Sequence, residues 1–544
     1  MRNAQEPNGK PAAAAFDSPQ EPSALSRRRH WPRRVLFAVC WICQGALLVS
    51  AIPIRPLSGP EAQFVLRSPR DGALAFELAA AEGRPPLAYW LCGQVGAWTG
   101  LESESLRWMP ALFAFAAMRI AVRLFSRAAS LGFVSFCLLF AFSPFWTQLG
   151  ATLSPDAMSV FLALWSTRLL LAGLRVGRKR TWAAYAFANV LLFYTSAAAW
   201  GVALAHWAAT ARSADARRDS GAWRRAMALA LAWPAALLAF APWLWAERMP
   251  LSRDLAELAA APVDLDSVQR AGFVLGYALY AFMFGDAVAP WIALRAALLS
   301  MPFVAAGCFG LERMLGRRQN TLRTLAFCAL MFLGLAAAYA LKAPLRDGVF
   351  DMPGKLAFLF PFFFMAAAYG FGAMRRGLGA PLLLVVLGAQ AYGQWSWRSA
   401  FEYTNWRRAV PVAEILDAID LASDHDTLLL VDGVHLPQVA LAYDGPLPML
   451  ALNATWPASV DSLDATLRRF RRVLLLRAAR ERALDGGLDL AQAAIERQFA
   501  LADRIQFMPE NPEVAEIKTY LTGEPALEAR IALFVFSRRS PGAP

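Results

Sequence analysis

Runs of about 20 mostly apolar residues recur along this chain, and nothing else constrains its fold as strongly. A helix rising about 1.5 Å per residue needs that length to cross a hydrocarbon core of about 30 Å. In lipid every backbone N–H and C=O must find its partner within the protein, so such runs have to be helical. About eleven can be counted on this rule, beginning near residues 34, 104, 128, 155, 181, 196, 224, 288, 322, 355 and 378. With 57% hydrophobic and 17% charged residues, against roughly half and about a quarter in soluble domains, a soluble globular enzyme is excluded.

Lys and Arg number 54 and Asp and Glu 41, a formal charge of +13. In a soluble chain that excess would suggest nucleic acid. Here the basic residues fall in short clusters between apolar runs, so no nucleic-acid partner is expected and the lipid bilayer is. RRRHWPRR precedes the first run, RLFSR follows the second, RVGRKR the fourth, ARSADARRDSGAWRR the sixth, ERMLGRRQNTLR the eighth and MRRG the tenth. Every second connection is basic, as the positive-inside rule requires. The N-terminus is then expected in the cytoplasm. The loops at 54–103, 245–287 and 342–354, and everything after about residue 396, are expected outside. In a bacterial inner membrane, outside means periplasm.

Residues 1–33 hold Ala, Pro, Ser and charge without periodicity and are expected to form a disordered cytoplasmic tail. No small-residue cleavage site follows the first apolar run, so it reads as an uncleaved anchor. Residues 181–209 are too few for two full crossings, which predicts a broken pair around YTSAAAW at a cavity wall. The cysteines (Cys40, Cys43, Cys92, Cys137, Cys308 and Cys328) lie in or beside apolar stretches. They imply packing rather than a disulfide framework, the C-x-x-C of Cys40 and Cys43 included.

After residue 400 the pattern changes. TLLLVD (427–432), LPMLAL (447–452), RVLLLR (472–477), RIQFM (504–508) and IALFVF (531–536) read as strands, while VDSLDATLRRF and LDLAQAAIERQF have helical spacing. The alternation predicts a small periplasmic α/β domain over 401–544 with a largely parallel sheet. No G-x-G-x-x-G follows its first strand, so no dinucleotide site is expected. Asp424, His425, Asp426, Asp432 and His435 lack a firm metal-ligand spacing and read as polar loop residues. The domain is expected to cover the membrane cavity or contact an acceptor.

The loop between the first two runs is about fifty residues long, and long loops in compact membrane proteins are usually functional. It carries Glu61, Asp71, Glu77, Glu82, Glu102 and Glu104, with Arg55, Arg67, Arg70, Arg84 and Arg107. Carboxylates and guanidiniums together can activate a hydroxyl beside a phosphate leaving group. An amphipathic loop resting on lipid headgroups would have the same composition.

PEAQF (60–64), RPPLAYWL (84–91), GLESESLRWMPALF (100–113), LSPDAMSVFLALW (153–165) and GKLAFLFPFFF (354–364) follow one another along the chain. In that order, between those spans, they resemble the GT-C polytopic glycosyltransferases of the family 39 type, which includes protein O-mannosyltransferases and lipid A aminoarabinose transferases. The likeness covers about 34–200 closely and 340–400 loosely. It implies a GT-C-like transmembrane domain over 34–400. The family opens its loop with an acidic pair whose first member is catalytic. This chain has Pro60 there, which cannot act as a base, and leaves Glu61 alone, so either Glu61, Asp71 or another loop carboxylate takes over or transferase chemistry is lost.

The resemblance implies a polyprenyl-phosphate sugar donor and transfer to a hydroxyl of a glycan, lipid or protein acceptor. Asp156 matches the family's second acidic position and Lys355 its cation; Glu61 and Asp156 are the catalytic candidates, and Lys355, Arg84 and Arg346 with Tyr89 the substrate-binding ones. A partly desolvated carboxylate is a useful base, and Arg and Lys match a leaving phosphate. Lys355 is expected to open an outward-facing helix end behind Pro353 and Gly354. Tyr89 and Trp90 are also placed as interfacial anchors of the loop, and His206 is expected near the inner face with no catalytic part. No cofactor is indicated. Because of Pro60, an inactive GT-C-like protein that binds lipid-linked sugar or scaffolds envelope glycan assembly stays open as the alternative. A transporter of lipid-linked sugar is disfavoured by the lack of an internal repeat.

Overall fold

The computed structural model describes residues 24–54, 57–81, 85–99, 103–126, 128, 130–196, 198–215, 232–242, 265–285, 288, 294–317, 320–342, 352–399, 410–432, 436–452, 460–478, 486–507 and 531–539. The first helix, α1 (Ala24–Ala51), starts well before residue 34 and takes the basic run into its first turns, with Pro32 inside it. The expected tail therefore shortens, and residues 1–23 lie outside the described residues. Arginine is a good helix former, so a basic run need not interrupt the helix that follows.

Three short helices come next, α2 (Gly59–Leu66), α3 (Gly72–Ala81) and α4 (Leu87–Thr99). They are followed by α5 (Ser103–Phe125), α6 (Ser130–Ala141), α7 (Pro144–Ala151), α8 (Asp156–Val176), α9 (Lys179–Phe193) and α10 (Ala198–Asp215). The helices Ala232–Pro242, Leu265–Phe284, Leu294–Leu315, Asn320–Lys342, Phe360–Ala373 and Arg376–Ser399 complete the bundle. Among the described residues five helices are long and apolar enough to cross a membrane, and a sixth if α6 and α7, bent by 45°, form one span. This is a multi-pass membrane protein.

The bend has a chemical cause. Pro144 opens α7, and proline cannot donate to the turn before it. Ser143 caps the new helix, its Oγ accepting the Trp146 N–H at 3.2 Å. Ser143 O accepts the Thr147 N–H at 3.1 Å, and the Arg376–Ser399 helix adds further donors along the break. Gln394 Nε2 lies 3.2 Å from Ser143 O, 3.5 Å from Phe142 O and 2.7 Å from Thr147 Oγ1, and Gln390 donates to Leu139 O at 3.2 Å. Irregular backbone at membrane depth is tolerated only when it is covered in this way.

Within 245–287, expected as an outward loop, the described residues from 265 are helical rather than looped. Leu265–Phe284 is a helix inserted in the bundle, with Ala271 and Val274 packed on Ala340 and Phe282 O accepting from Ser143 Oγ at 3.3 Å. It stops at Gly285, whose φ of +66° suits glycine. Its apolar part, Ala271–Phe284, is shorter than a crossing, which is why a count of long runs passes over it. The break predicted around YTSAAAW does occur, between α9 and α10.

Helices Leu294–Leu315 and Phe360–Ala373 form a close crossing. A Cβ on Gly310 would overlap the Ala366 carbonyl, and one on Gly370 the Ala306 carbonyl. Ala306-x-x-x-Gly310 thus meets Ala366-x-x-x-Gly370, the small-residue arrangement that lets membrane helices approach closely. Trp146 stacks on Phe360 with centroids 5.3 Å apart, and Phe140 and Phe364 close the aromatic centre around them.

The C-terminal part contains one five-stranded sheet of order β2-β1-β3-β5-β4. Its strands are β1 (Thr427–Asp432), β2 (Met449–Leu452), β3 (Arg472–Ala478), β4 (Phe499–Gln506) and β5 (Ile531–Arg538). β1 pairs parallel with β2 and β3, but β5 runs antiparallel between β3 and β4. The sheet is thus mixed rather than largely parallel, with two of its four pairings parallel and two antiparallel. The helix Pro437–Ala442 of this part packs against α2, and Leu441 reaches the rim of the membrane core.

Candidate functional site

Ser58-Gly59-Pro60-Glu61 starts α2. Pro60 sits in the first turn, where a missing N–H costs nothing, and Glu61 reaches back to the start of its helix. Its Oε2 accepts both the backbone N–H and the hydroxyl of Ser58, each at 2.9 Å, as in a capping box. Arg107 of α5 closes on the same carboxylate, with Nη2 3.2 Å from both oxygens and Nε 3.3 Å from Oε1. The Leu153 N–H donates to Oε1 at 2.9 Å, and Arg107 also donates to Ile52 O at 3.1 Å. One buried carboxylate therefore ties together α2, α5, the end of the first span and the turn between α7 and α8.

Burial by itself would raise the pKa of Glu61. Arg107 and the donors from Ser58 and Leu153 outweigh it and hold the carboxyl below its ordinary value. With Glu61 5% and Arg107 3% exposed, the pair is a brace. A carboxylate so held is a weak base.

Three residues beyond Leu153, Asp156 is the first residue of α8, where a negative charge complements the helix dipole. It is half-buried, and Ser154 donates its hydroxyl to Oδ2 at 2.9 Å. Over it lies the single turn Met352–Lys355: a Cβ on Gly354 would come 3.1 Å from Asp156 Oδ2. Lys355 follows directly and is exposed. It ends a one-turn helix rather than opening the long one. A 3-10 turn, Ala357–Leu359, and a second helix from Phe360 follow it, since Pro361 fits only in a first turn. The structure thus brings Asp156 beside Gly354 and sets Glu61 on the turn leading to Asp156.

Tyr89 is buried, its ring 4.7 Å from that of Phe64, so it joins α4 to α2 instead of anchoring the loop in the interface. Trp90 is exposed. Gly93 lets α4 lie on the backbone of Ser68 and Pro69, where any Cβ would clash. Leu87 N–H donates to Tyr194 O at 2.8 Å, capping the broken end of α9. Asp71 caps α3 through the Ala73 N–H at 2.9 Å, and Glu77 and Glu104 are exposed. Arg55, Glu82, Arg84, Glu102 and Arg346 lie outside the described residues.

His206 is at mid-bundle rather than near the inner face. It is fully buried, with Nε2 3.0 Å from Thr167 Oγ1 and Nδ1 3.0 Å from the Tyr185 hydroxyl. Among the described residues no group of three His, Cys, Asp or Glu side chains could hold a metal. Asp424 and Asp426 instead pair with Arg472 and Arg471 at 3.4 Å, and His435 lies outside the described residues.

No family model matches the sequence, and neither does any curated protein. Solved structures do match in shape. The apo crystal structure of ArnT from Cupriavidus metallidurans aligns with a TM-score of 0.57 at 13% identity, covering 94% of this chain and 98% of that one. ArnT from the same organism bound to undecaprenyl phosphate aligns at 0.55 and 12% identity, covering 92% and 97%. The fold is GT-C-like. Arabinofuranosyltransferase AftD from Mycobacteria aligns at 0.46 and 17% identity over 96% of this chain and 40% of AftD, too distant to argue from. The ArnT alignments run through both the helical bundle and the C-terminal part, so the α/β region belongs to the shared architecture and is not an addition peculiar to this chain.

Proposed function

We propose that the protein transfers a sugar from a polyprenyl-phosphate donor to an acceptor hydroxyl at the periplasmic face of the inner membrane. The observation that carries this reading is the position of Asp156, half-buried at the start of α8 beside Gly354, the residue before Lys355, in a fold shared with a protein solved with undecaprenyl phosphate. In the reaction Asp156 takes the acceptor proton as the hydroxyl oxygen bonds to the anomeric carbon. The bond from that carbon to the phosphate oxygen breaks, and the polyprenyl phosphate leaves with its electron pair. Lys355, with Arg84 and Arg346, neutralises that phosphate. Glu61 is a positioning residue: through Leu153 it holds the turn that presents Asp156. Tyr89 acts at one remove, by packing α4 on α2. A glycan, lipid or protein hydroxyl can serve as acceptor, and no cofactor takes part in these steps.

Purified protein incubated with radiolabelled polyprenyl-phosphate sugars and a cell-envelope extract should move label to one envelope fraction, and Asp156→Asn should abolish transfer while keeping donor binding. Because Glu61 is locked and Pro60 replaces the family's first acid, a second reading is a protein that binds the donor without turning it over. Bound donor with no transfer in any fraction would select it. No donor binding at all would refute both.

A further inference from the structure

A second charged feature lies past the middle of α5 and α8, toward the end of the bundle away from Asp156. Arg119 and Arg123 stand one turn apart on α5, and Arg168 stands on the adjacent α8; all three are exposed. Phe113 of α5 and Phe161 of α8 meet with rings 5.5 Å apart, and about two turns further along each helix Arg119 and Arg168 come level. Among the described residues no carboxylate pairs with any of the three. Other arginines at this end are settled by the protein: Arg175 donates to Thr321, Arg317 to the Tyr369 hydroxyl, and Arg33 to Ser126 O while lying over the Phe133 ring.

Depth sharpens the problem. Arg119 lies six residues before the end of α5 at Phe125, and Arg168 eight before the end of α8 at Val176, so both start about 9 to 12 Å inside the helix ends. Charges on a lipid-facing surface at that depth are costly and snorkel towards the headgroups. Three that repel one another need an anion between them, and the planar fork of arginine matches phosphate oxygens.

We propose that Arg119, Arg123 and Arg168 form a binding site for the phosphodiester headgroup of an anionic phospholipid. The site is independent of the transfer reaction. It differs from general attraction to a charged leaflet in needing these three residues and not merely three positive charges.

The test uses the full chain in phosphatidylcholine-containing micelles titrated with phosphatidylglycerol, with bound lipid counted by mass spectrometry of the intact complex. Saturable retention is expected. Combining Arg119→Gln, Arg123→Gln and Arg168→Gln should weaken it by on the order of 100-fold, at ~5-fold for each cation. Should that protein fail to fold, Arg168→Gln alone carries the test through its ~5-fold loss. A control with Arg178→Gln, Lys179→Gln and Arg180→Gln removes three exposed charges from the α8–α9 turn and should leave retention unchanged. An equal loss in the control, or unchanged retention in the first variants, would overturn the proposal. So would competition by free glycerol 3-phosphate at the lipid's own concentrations, which would make a soluble phosphate ester the ligand.

Discussion

The pairing of Glu61 with Arg107 makes Glu61 a structural carboxylate, and the proposed function, which gives the chemistry to Asp156, makes opposite demands on the two. Removing one partner of a buried ion pair leaves the other charge uncompensated, so Arg107→Met should cost about 3 to 5 kcal/mol, read as a lower unfolding temperature in detergent. Adding Glu61→Gln should recover part of that loss, since the amide carries no charge to strand. Asp156→Asn should leave the unfolding temperature close to that of the parent. The pH dependence has a definite sign. The Glu61 pKa is lowered in the folded protein, so its stabilisation is complete above the ordinary carboxylate value. It declines as pH falls below that value and is gone below the folded one. Unfolding midpoints measured downward from pH 6 should therefore fall more steeply in the parent than in Glu61→Gln with Arg107→Met. Part of this was legible in the sequence: Ser58-x-x-Glu61 is a capping-box pattern, and it would have placed Glu61 in a helix N-terminus with its oxygens engaged. The partner was not. Arg107 stands 46 residues away among several loop arginines, and no periodicity tells which of them a fold will carry inward.

At the level of helices, the sequence marks what is long and apolar and is silent where packing decides. The strands β1, β3 and β5 fall where their apolar runs are, because two faces of a covered sheet need such runs. The Leu265–Phe284 helix escapes notice since its neighbours, not its length, keep it in the bundle. Gly310 and Gly370 are similar: each stands in an Ala-x-x-x-Gly spacing, but only the crossing shows that the two spacings face one another. Gly310→Val should push the Leu294–Leu315 and Phe360–Ala373 helices apart, with a loss of about 1 to 3 kcal/mol or more, seen as poor yield or a lowered unfolding temperature. Gly334→Ala is the comparison. A Cβ there meets nothing within 4 Å, and alanine is the better helix former by roughly 1 kcal/mol, so stability should hold or rise.

Across the whole molecule, the ends of the first and last helices of the bundle meet. Arg398 donates to Ser50 Oγ at 2.7 Å and to Leu47 O at 3.3 Å, and Pro437–Ala442 rests on α2. The α2–α4 region and the C-terminal sheet therefore share one end of the bundle, which the proposed function sets on the periplasmic side. A reporter active only there should work when fused after residue 400 and fail when fused near residue 215; the reverse pair of results would invert the assignment. The bend between α6 and α7 also bears on how such a chain is made. Ribosomes deliver Leu139 and Phe142 about 250 residues before Gln390 and Gln394, so throughout that interval the bent span sits in lipid without the amide donors that cover its break. A nascent chain halted before Arg376 should be unstable in the membrane and open to quality-control proteases, and it should be rescued when a separately synthesised Arg376–Ser399 segment supplies the missing amides.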